Sequence, residues 1–304
     1  MTTERLRHLT TLEGLDRATL TRLLDRAEAI RRDGAPRDLL AGRTVLNLFF
    51  EHSTRTRTSF ELAAKRLGAD VVNFDVALSS THKGESLLDT LHTLEAMRLD
   101  ALVVRHREDG TPDLLARHAR SAVAVVNAGD GRRAHPTQGL LDALTIRQHR
   151  PDLDRLTVTI CGDIRHSRVA RSDVHALATL GVGEIRLCAP PALQPQPAEF
   201  PRCRIFDDFD AALAGADVAI MLRIQKERIA DALPDDGAYF LRYGLDARRL
   251  ALARPGCLVM HPGPINRGIE IADEVADGPQ SRILDQVANG VFVRMAVLAE
   301  LLGR

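Results

Sequence analysis

The chain has 304 residues, 45% of them hydrophobic and 27% charged, with 41 Lys plus Arg against 41 Asp plus Glu. That length suits two domains of ordinary size, and the composition is that of a soluble globular protein. A formal net charge of zero removes any general electrostatic pull toward nucleic acid or a membrane surface.

Apolar strand-like runs alternate with amphipathic helical ones. Leucines at helical spacing predict a helix over residues 15–30. A buried strand follows over 44–50, then a helix over 55–67, a strand over 70–74, a helix over 85–98 and a strand over 101–105. A helix over 112–120 and a strand over 122–127 complete the first half. The pattern restarts after Pro151 with strand 156–161, helix 168–180 and strand 184–189. A proline-rich loop over 190–201 precedes helix 209–214 and strands 217–222 and 257–260. The alternation predicts an α/β protein of two domains, each a mostly parallel sheet flanked by helices. The segment from Gln138 to Asp154 reads as the hinge. A final helix over 283–302 is apolar on more than one face, so it is expected to be buried, packing back on the first domain.

The four cysteines, Cys161, Cys188, Cys203 and Cys257, are scattered and form no C-x-x-C pair, which reads as reduced structural thiols in a cytosolic protein. Residues 1–8 have no apolar signal core, and no apolar run approaches the roughly 20 residues that span a bilayer. Basic residues are nearly all arginine; the lysines are Lys65, Lys83 and Lys226.

The chemistry concentrates after predicted strands, where open α/β sheets bind ligands. Ser53-Thr54-Arg55-Thr56-Arg57-Thr58-Ser59-Phe60 joins a strand to a helix. A helix start carries unpaired N–H groups and partial positive charge, so hydroxyls and arginines there suit a phosphate-like dianion. A bare N-cap needs one hydroxyl and leaves the arginines unexplained. Arg105 ends a buried strand and reads either as a solvated strand end or as a cation in the crevice. His135-Pro136-Thr137-Gln138 reads either as a capping loop or as a pair able to polarise a carbonyl and hold an amide. Ser79-Ser80-Thr81-His82-Lys83-Gly84-Glu85-Ser86 reads either as a surface loop or as a lid whose Lys83 reaches an anion. Gly162-Asp163-Ile164-Arg165-His166-Ser167-Arg168 lacks the glycine series of a dinucleotide loop. Arg168 sits where the helix dipole disfavours a cation, which a binding role explains. Arg223 and Gln225 alternate on an extended segment and can face one side. His261-Pro262-Gly263-Pro264 reads as a rigid turn. No metal cluster, catalytic triad or Walker loop is evident.

Taken in order, Phe50-Glu51-His52-Ser53-Thr54-Arg55-Thr56-Arg57, Lys83-Gly84-Glu85, Arg105, His135-Pro136-Thr137-Gln138, Gly162-Asp163, Arg168, Arg223-Ile224-Gln225-Lys226-Glu227-Arg228 and His261-Pro262-Gly263-Pro264 resemble the aspartate/ornithine carbamoyltransferase family over nearly the whole chain. The ornithine branch resembles His-Cys-Leu-Pro at the last turn. This chain has His261-Pro262-Gly263-Pro264, and its Arg223-Ile224-Gln225 suits carboxylates and repels a cationic side chain, so the aspartate branch is favoured.

The resemblance implies a carbamoyl-phosphate-binding domain, residues 1–134 with helix 284–304 returning to it, and an aspartate-binding domain, residues 135–283. It implies that Ser53, Thr54, Arg55 and Thr56 bind the phosphate of carbamoyl phosphate. Thr56, Arg105 and His135 polarise its carbonyl, Gln138 holds its amide nitrogen, and Gly263 and Pro264 complete its contacts. Ser79 and Lys83 enter from a neighbouring subunit of a homotrimer with shared active sites. Arg168, Arg223 and Gln225, helped by Lys83, bind the aspartate carboxylates, and Glu51 orients Arg168 and Arg228. Two positions depart from the family: Val169 stands where some relatives have threonine, and Gly263 where some have leucine. The implied activity is carbamoyl transfer from carbamoyl phosphate to the α-amine of L-aspartate, an early step of pyrimidine synthesis, in the cytoplasm and with no cofactor or metal. The resemblance admits a separate regulatory chain or a dihydroorotase as partner, and no nucleic acid or membrane. Transfer to ornithine or a modified amino acid, and a non-catalytic phosphate-binding scaffold, are the competing readings.

Overall fold

The computed structural model describes residues 6–75, 86–120, 122–224 and 235–303. Contacts gather the chain into two units, Met1–Leu140 with Ala288–Arg304, and Leu141–Val287.

Unit 1 opens with α1 (Arg17–Asp33), which starts two residues later than the leucine pattern suggests. The reason is Asp16, whose carboxylate caps the helix by accepting the Thr19 N–H at 2.6 Å. Leu20, Leu23, Leu24, Ala27 and Ile30 form its buried stripe. Then come β1 (Thr44–Phe49), α2 (Thr54–Arg66), β2 (Asp70–Asp75), α3 (Leu87–Ala96), β3 (Ala101–His106), α4 (Thr111–His118) and β4 (Ala124–Asp130). The strands pair in parallel, in the order β2-β1-β3-β4. β1, β3 and β4 are buried along nearly their whole length, as strands covered on both faces must be. Leu46, Leu48, Leu102 and Val104 of the sheet share one core with Leu91 and Leu94 of α3 and Leu115 of α4. Each such side chain contributes about 1.5–3 kcal/mol on burial. Leu9 lies along β4, donating its N–H to the Val125 carbonyl and accepting from Asn127.

A continuous helix, α5 (Pro136–His149), runs through the segment expected to be the hinge. Unit 2 then holds β5 (Thr157–Cys161), α6 (Arg168–Leu180), β6 (Glu184–Cys188), β7 (Cys203–Phe206), α7 (Phe209–Leu213), β8 (Val218–Met221), α8 (Asp236–Tyr243), α9 (Ala247–Leu250), β9 (Leu258–Met260) and α10 (Asp273–Ala276). Its sheet is again parallel, in the order β7-β6-β5-β8-β9. β7 was not expected: it is a short edge strand, partly exposed, with Arg204 open to solvent, so it lacks the apolar run of a central strand. The last helix, α11 (Ile283–Leu302), ends in unit 1. There Glu300 pairs with Arg22 at 3.1 Å and Arg26 at 3.2 Å, and the Arg294 guanidinium stands 5.0 Å from the centre of the Phe60 ring. The C-terminal helix therefore packs on the N-terminal unit, as its all-round apolarity predicts. Among the described residues no helix is long and apolar enough to cross a membrane.

Candidate active site

Every described motif singled out in the sequence follows the carboxyl end of a strand. β1 feeds Glu51 to Thr56, β3 carries Arg105 and β4 leads to His135. In unit 2, β5 feeds Gly162 to Arg168, β8 leads to Arg223, and β9 to His261–Pro264. In each sheet the strand order reverses once, between β1 and β3 and between β5 and β8. Such reversal points open a crevice beyond the strand ends, and ligands sit there.

Ser53 occupies the N-cap of α2 in extended conformation, yet its hydroxyl accepts no capping bond. The leading N–H groups of α2 are thus left to a ligand or solvent. Thr56 is buried at 8% exposure one turn in, while Thr54 and Arg55 are exposed. A helix start with an uncommitted hydroxyl, an exposed guanidinium and a sheltered threonine is suited to a phosphate.

Arg105 leaves β3 with its Nε 3.2 Å from Glu51 and its Nη1 donating to the Ala128 carbonyl at 3.1 Å. The Glu51 pairing was not anticipated from the sequence, which set Glu51 behind Arg168 and Arg228. The next residue, His106, stacks edge-on against Phe50 at 4.7 Å and accepts the Glu108 N–H on Nδ1. Burial above all lowers its pKa, with Arg107 adding to the effect, so the ring stays neutral beside Arg105.

His135 precedes α5, and its carbonyl accepts from the N–H of Gln138 at 2.8 Å and of Gly139 at 3.2 Å. Both His135 and Gln138 are buried. The loop before them is clamped by Asp130, which sequence reading missed. Its Oδ1 accepts from Asn127 Nδ2 at 2.8 Å and the Ala134 N–H at 3.0 Å, and its Oδ2 from the Gly110 N–H at 2.8 Å. Burial pushes the Asp130 carboxyl up against the pull of these donors. Gly131, at φ +40°, has no room for a side chain against Asp109. The Asn127-x-x-Asp130 spacing after a buried strand was the available signal.

In unit 2, Gly162 has φ +139°, and a Cβ there would stand 2.6 Å from the Leu222 carbonyl oxygen. Only glycine lets the exit of β5 lie so close to the residue before Arg223. Asp163 is fully buried and accepts from His166 Nδ1 at 2.9 Å and from the His166 N–H at 3.1 Å. That turn ends at Ser167, which caps α6 through the Ala170 N–H at 3.1 Å. Arg168 is the first residue of α6 and is 7% exposed. Arg223 is half-buried. After β9, His261 Nδ1 accepts the Gly263 N–H at 2.8 Å, which leaves the ring proton on Nε2, 3.1 Å from Glu270. Gly263 has φ +70° and is joined to Pro264 by a cis bond. Ser79, Lys83, Gln225 and Arg228 lie outside the described residues.

The four cysteines are free thiols. Burial pushes Cys203 up to about 11 and Cys257 up to about 12, and Cys161 well above its ordinary value. These thiols are not nucleophiles at neutral pH. Among the described residues no group of three or more His, Cys, Asp or Glu is placed to hold a metal ion.

Residues 7–148 match the model of the aspartate/ornithine carbamoyltransferase carbamoyl-P binding domain, and residues 154–301 that of the Asp/Orn binding domain. The aspartate carbamoyltransferase catalytic subunit of Stenotrophomonas maltophilia (strain R551-3) is 59% identical, over 98% of this chain and 97% of its own length. The solved aspartate transcarbamoylase of Trypanosoma cruzi, in complex with carbamoyl aspartate and phosphate, is 34% identical with a TM-score of 0.90, over 98% of this chain and 96% of that one. Ornithine carbamoyltransferase from Thermus thermophilus is 30% identical with a TM-score of 0.88, over 98% and 100%. With both domain models matched in order, and relatives aligned almost end to end, the chain belongs to the aspartate/ornithine carbamoyltransferase family.

Proposed function

We propose that this chain is an aspartate carbamoyltransferase catalytic chain, transferring the carbamoyl group of carbamoyl phosphate to the α-amine of L-aspartate. The observation that carries the reading is the head of α2, where an N-cap serine does not cap and the first turn carries an exposed Arg55 and a buried Thr56. Ser53, Thr54, Arg55 and Thr56 hold the phosphate. Thr56, Arg105 and His135 donate to the carbonyl oxygen, where negative charge grows in the tetrahedral transition state. Gln138, with the Gly263–Pro264 turn, holds the amide. The neutral amine attacks the carbamoyl carbon, a C–N bond forms, the C–O bond to phosphate breaks, and phosphate takes the amine proton. No protein nucleophile is needed, in keeping with the inert thiols. Glu51, by pairing Arg105, keeps that guanidinium aimed.

Aspartate is preferred to ornithine because Arg168 and Arg223 leave the second sheet where an amino acid side chain is to be chosen, and two guanidiniums attract a carboxylate and repel an ammonium. The 59% identity to a catalytic subunit named for aspartate supports the same choice. Residues 1–134 with 284–304 form the carbamoyl phosphate domain and 135–283 the aspartate domain. The enzyme works in the cytoplasm as a homotrimer, with Ser79 and Lys83 supplied by the neighbouring subunit, Gln225 beside Arg223, and Arg228 held by Glu51. A regulatory chain or a dihydroorotase is the partner class to look for. Colorimetric detection of carbamoyl-aspartate, run beside an ornithine arm, tests the reading. Product with aspartate alone is expected; product with ornithine alone overturns the substrate, and neither product returns the chain to a phosphate-binding scaffold.

A further inference from the structure

Unit 2 buries two carboxyl groups against each other. Asp142 on α5 is 1% exposed and Asp173 on α6 is 0% exposed. Apart from Asp142, neither oxygen of Asp173 meets a hydrogen-bonding partner among the described residues. Two facing carboxylates cannot both be ionised in such a place.

Gln286, near the start of α11 and 2% exposed, joins this pair to the turn after β9. Its Oε1 accepts the backbone N–H of His261 at 2.8 Å, so its amide cannot be turned round without setting N–H against N–H. Its Nε2 therefore donates, and it does so to Asp142 Oδ1 at 2.6 Å. Asp142 Oδ1 is the acceptor of that amide. Asp173 is the neutral acid, and it gives its proton to Asp142. Burial first, then the charge of Asp142 and the hydrogen bond to it, push the Asp173 carboxyl well above its ordinary range, in the same sense.

The chain of donors and acceptors ends at the turn after β9. On its far side that turn is fixed by the His261–Glu270 contact, with Glu270 also accepting the Asn266 N–H at 2.5 Å. Gln286 fixes its near side at the His261 N–H. We propose that Asp173, Asp142 and Gln286 are positioning residues for the His261–Pro264 turn, a proton shared between two acids orienting one amide that sets the turn's height above the sheet. This rests on the reading that Gly263 and Pro264 meet the amide of carbamoyl phosphate.

The test pairs a stability readout with a kinetic one. Unfolded, Asp173 ionises near pH 4; folded, it stays protonated well above that, so it subtracts stability as pH rises from about 4. Asp173→Asn keeps a donor toward Asp142 and removes the loss. Its Tm is expected to gain on the parent by several degrees between pH 5 and pH 8, with the KM for carbamoyl phosphate within about twofold. Gln286→Met, or Asp173→Val where the first does not fold, is expected to raise that KM about tenfold, the loss of one well-made hydrogen bond, with a smaller change in kcat. A Tm difference that does not change with pH overturns the shared proton. The expected Tm behaviour with an unchanged KM in the folded variant overturns the positioning of the turn. Parent protein that forms no carbamoyl-aspartate overturns the reading of the site instead.

Discussion

At the scale of single residues, the proposed cradle depends on charge placed where charge develops. Arg55→Ala is expected to lower kcat by on the order of 10², the usual cost of one transition-state donor. Steady-state kinetics with carbamoyl phosphate and aspartate check this, and near-normal turnover removes Arg55 from the mechanism. Asp130→Ala strips the donors Asn127, Ala134 and Gly110 of a buried acceptor. It is expected to cost about 3 kcal/mol of stability and to reduce kcat while sparing the KM for aspartate, because the disturbed loop carries His135. Denaturant unfolding and kinetics on the same preparation read both. Arg105 and His135 stood out in the sequence as polar groups following apolar strands, each with a structural alternative that only the resemblance as a whole weighed against. Asp130 and Gln286 did not, because they bind backbone N–H groups and side chains brought close only by the fold, as with Gln286 and Asp142.

At the scale of elements, the long and strongly periodic segments were legible and the short ones were not. β1, β3, β5 and β8 announce themselves as apolar runs, and α1 by its leucines at helical spacing. The helices α8, α9 and α10 span 8, 4 and 4 residues, too short for periodicity to register. Asp235 and Asp246 cap the first two, and those caps were the only local signal. α8 is held at its end by Arg249, buried at 5% exposure. Nη1 donates to the Phe240 carbonyl at 3.2 Å and the Gly244 carbonyl at 2.8 Å, Nη2 to Leu241 at 2.7 Å, and Nε to Asp210 at 2.6 Å. Arg249→Met is expected to cost about 3 kcal/mol by orphaning these acceptors. The Arg249 contact, then that of Arg248, holds the Asp210 carboxyl below its ordinary value. Its contribution is therefore present above about pH 4 and is lost as pH falls through the folded value. Asp210→Asn is expected to melt below the parent at pH 7 and to converge with it in acid; a gap that persists at pH 3 sinks this linkage.

At the scale of the whole molecule, the alternation of strands and helices told of two parallel sheets. It did not give the strand order, because parallel pairing joins segments far apart in sequence. The proposed sharing of Lys83 between subunits is tested by mixing. Arg55→Ala and Lys83→Ala chains, each strongly impaired alone, are expected to regain activity when exchanged into common oligomers, since some sites then receive both intact residues. No recovery in oligomers shown to be mixed places each site within one chain. One further consequence lies in how unit 1 is assembled from Met1–Leu140 and Ala288–Arg304. Domains generally fold in order of their synthesis. Here the unit that begins first on the ribosome is the last to be finished. Its partners for Glu300 and Arg294 wait on α1 and α2 through the whole translation of Leu141–Val287, a continuous stretch that can complete itself meanwhile. For a nascent chain stalled before residue 288, the exposed and vulnerable half is the older one.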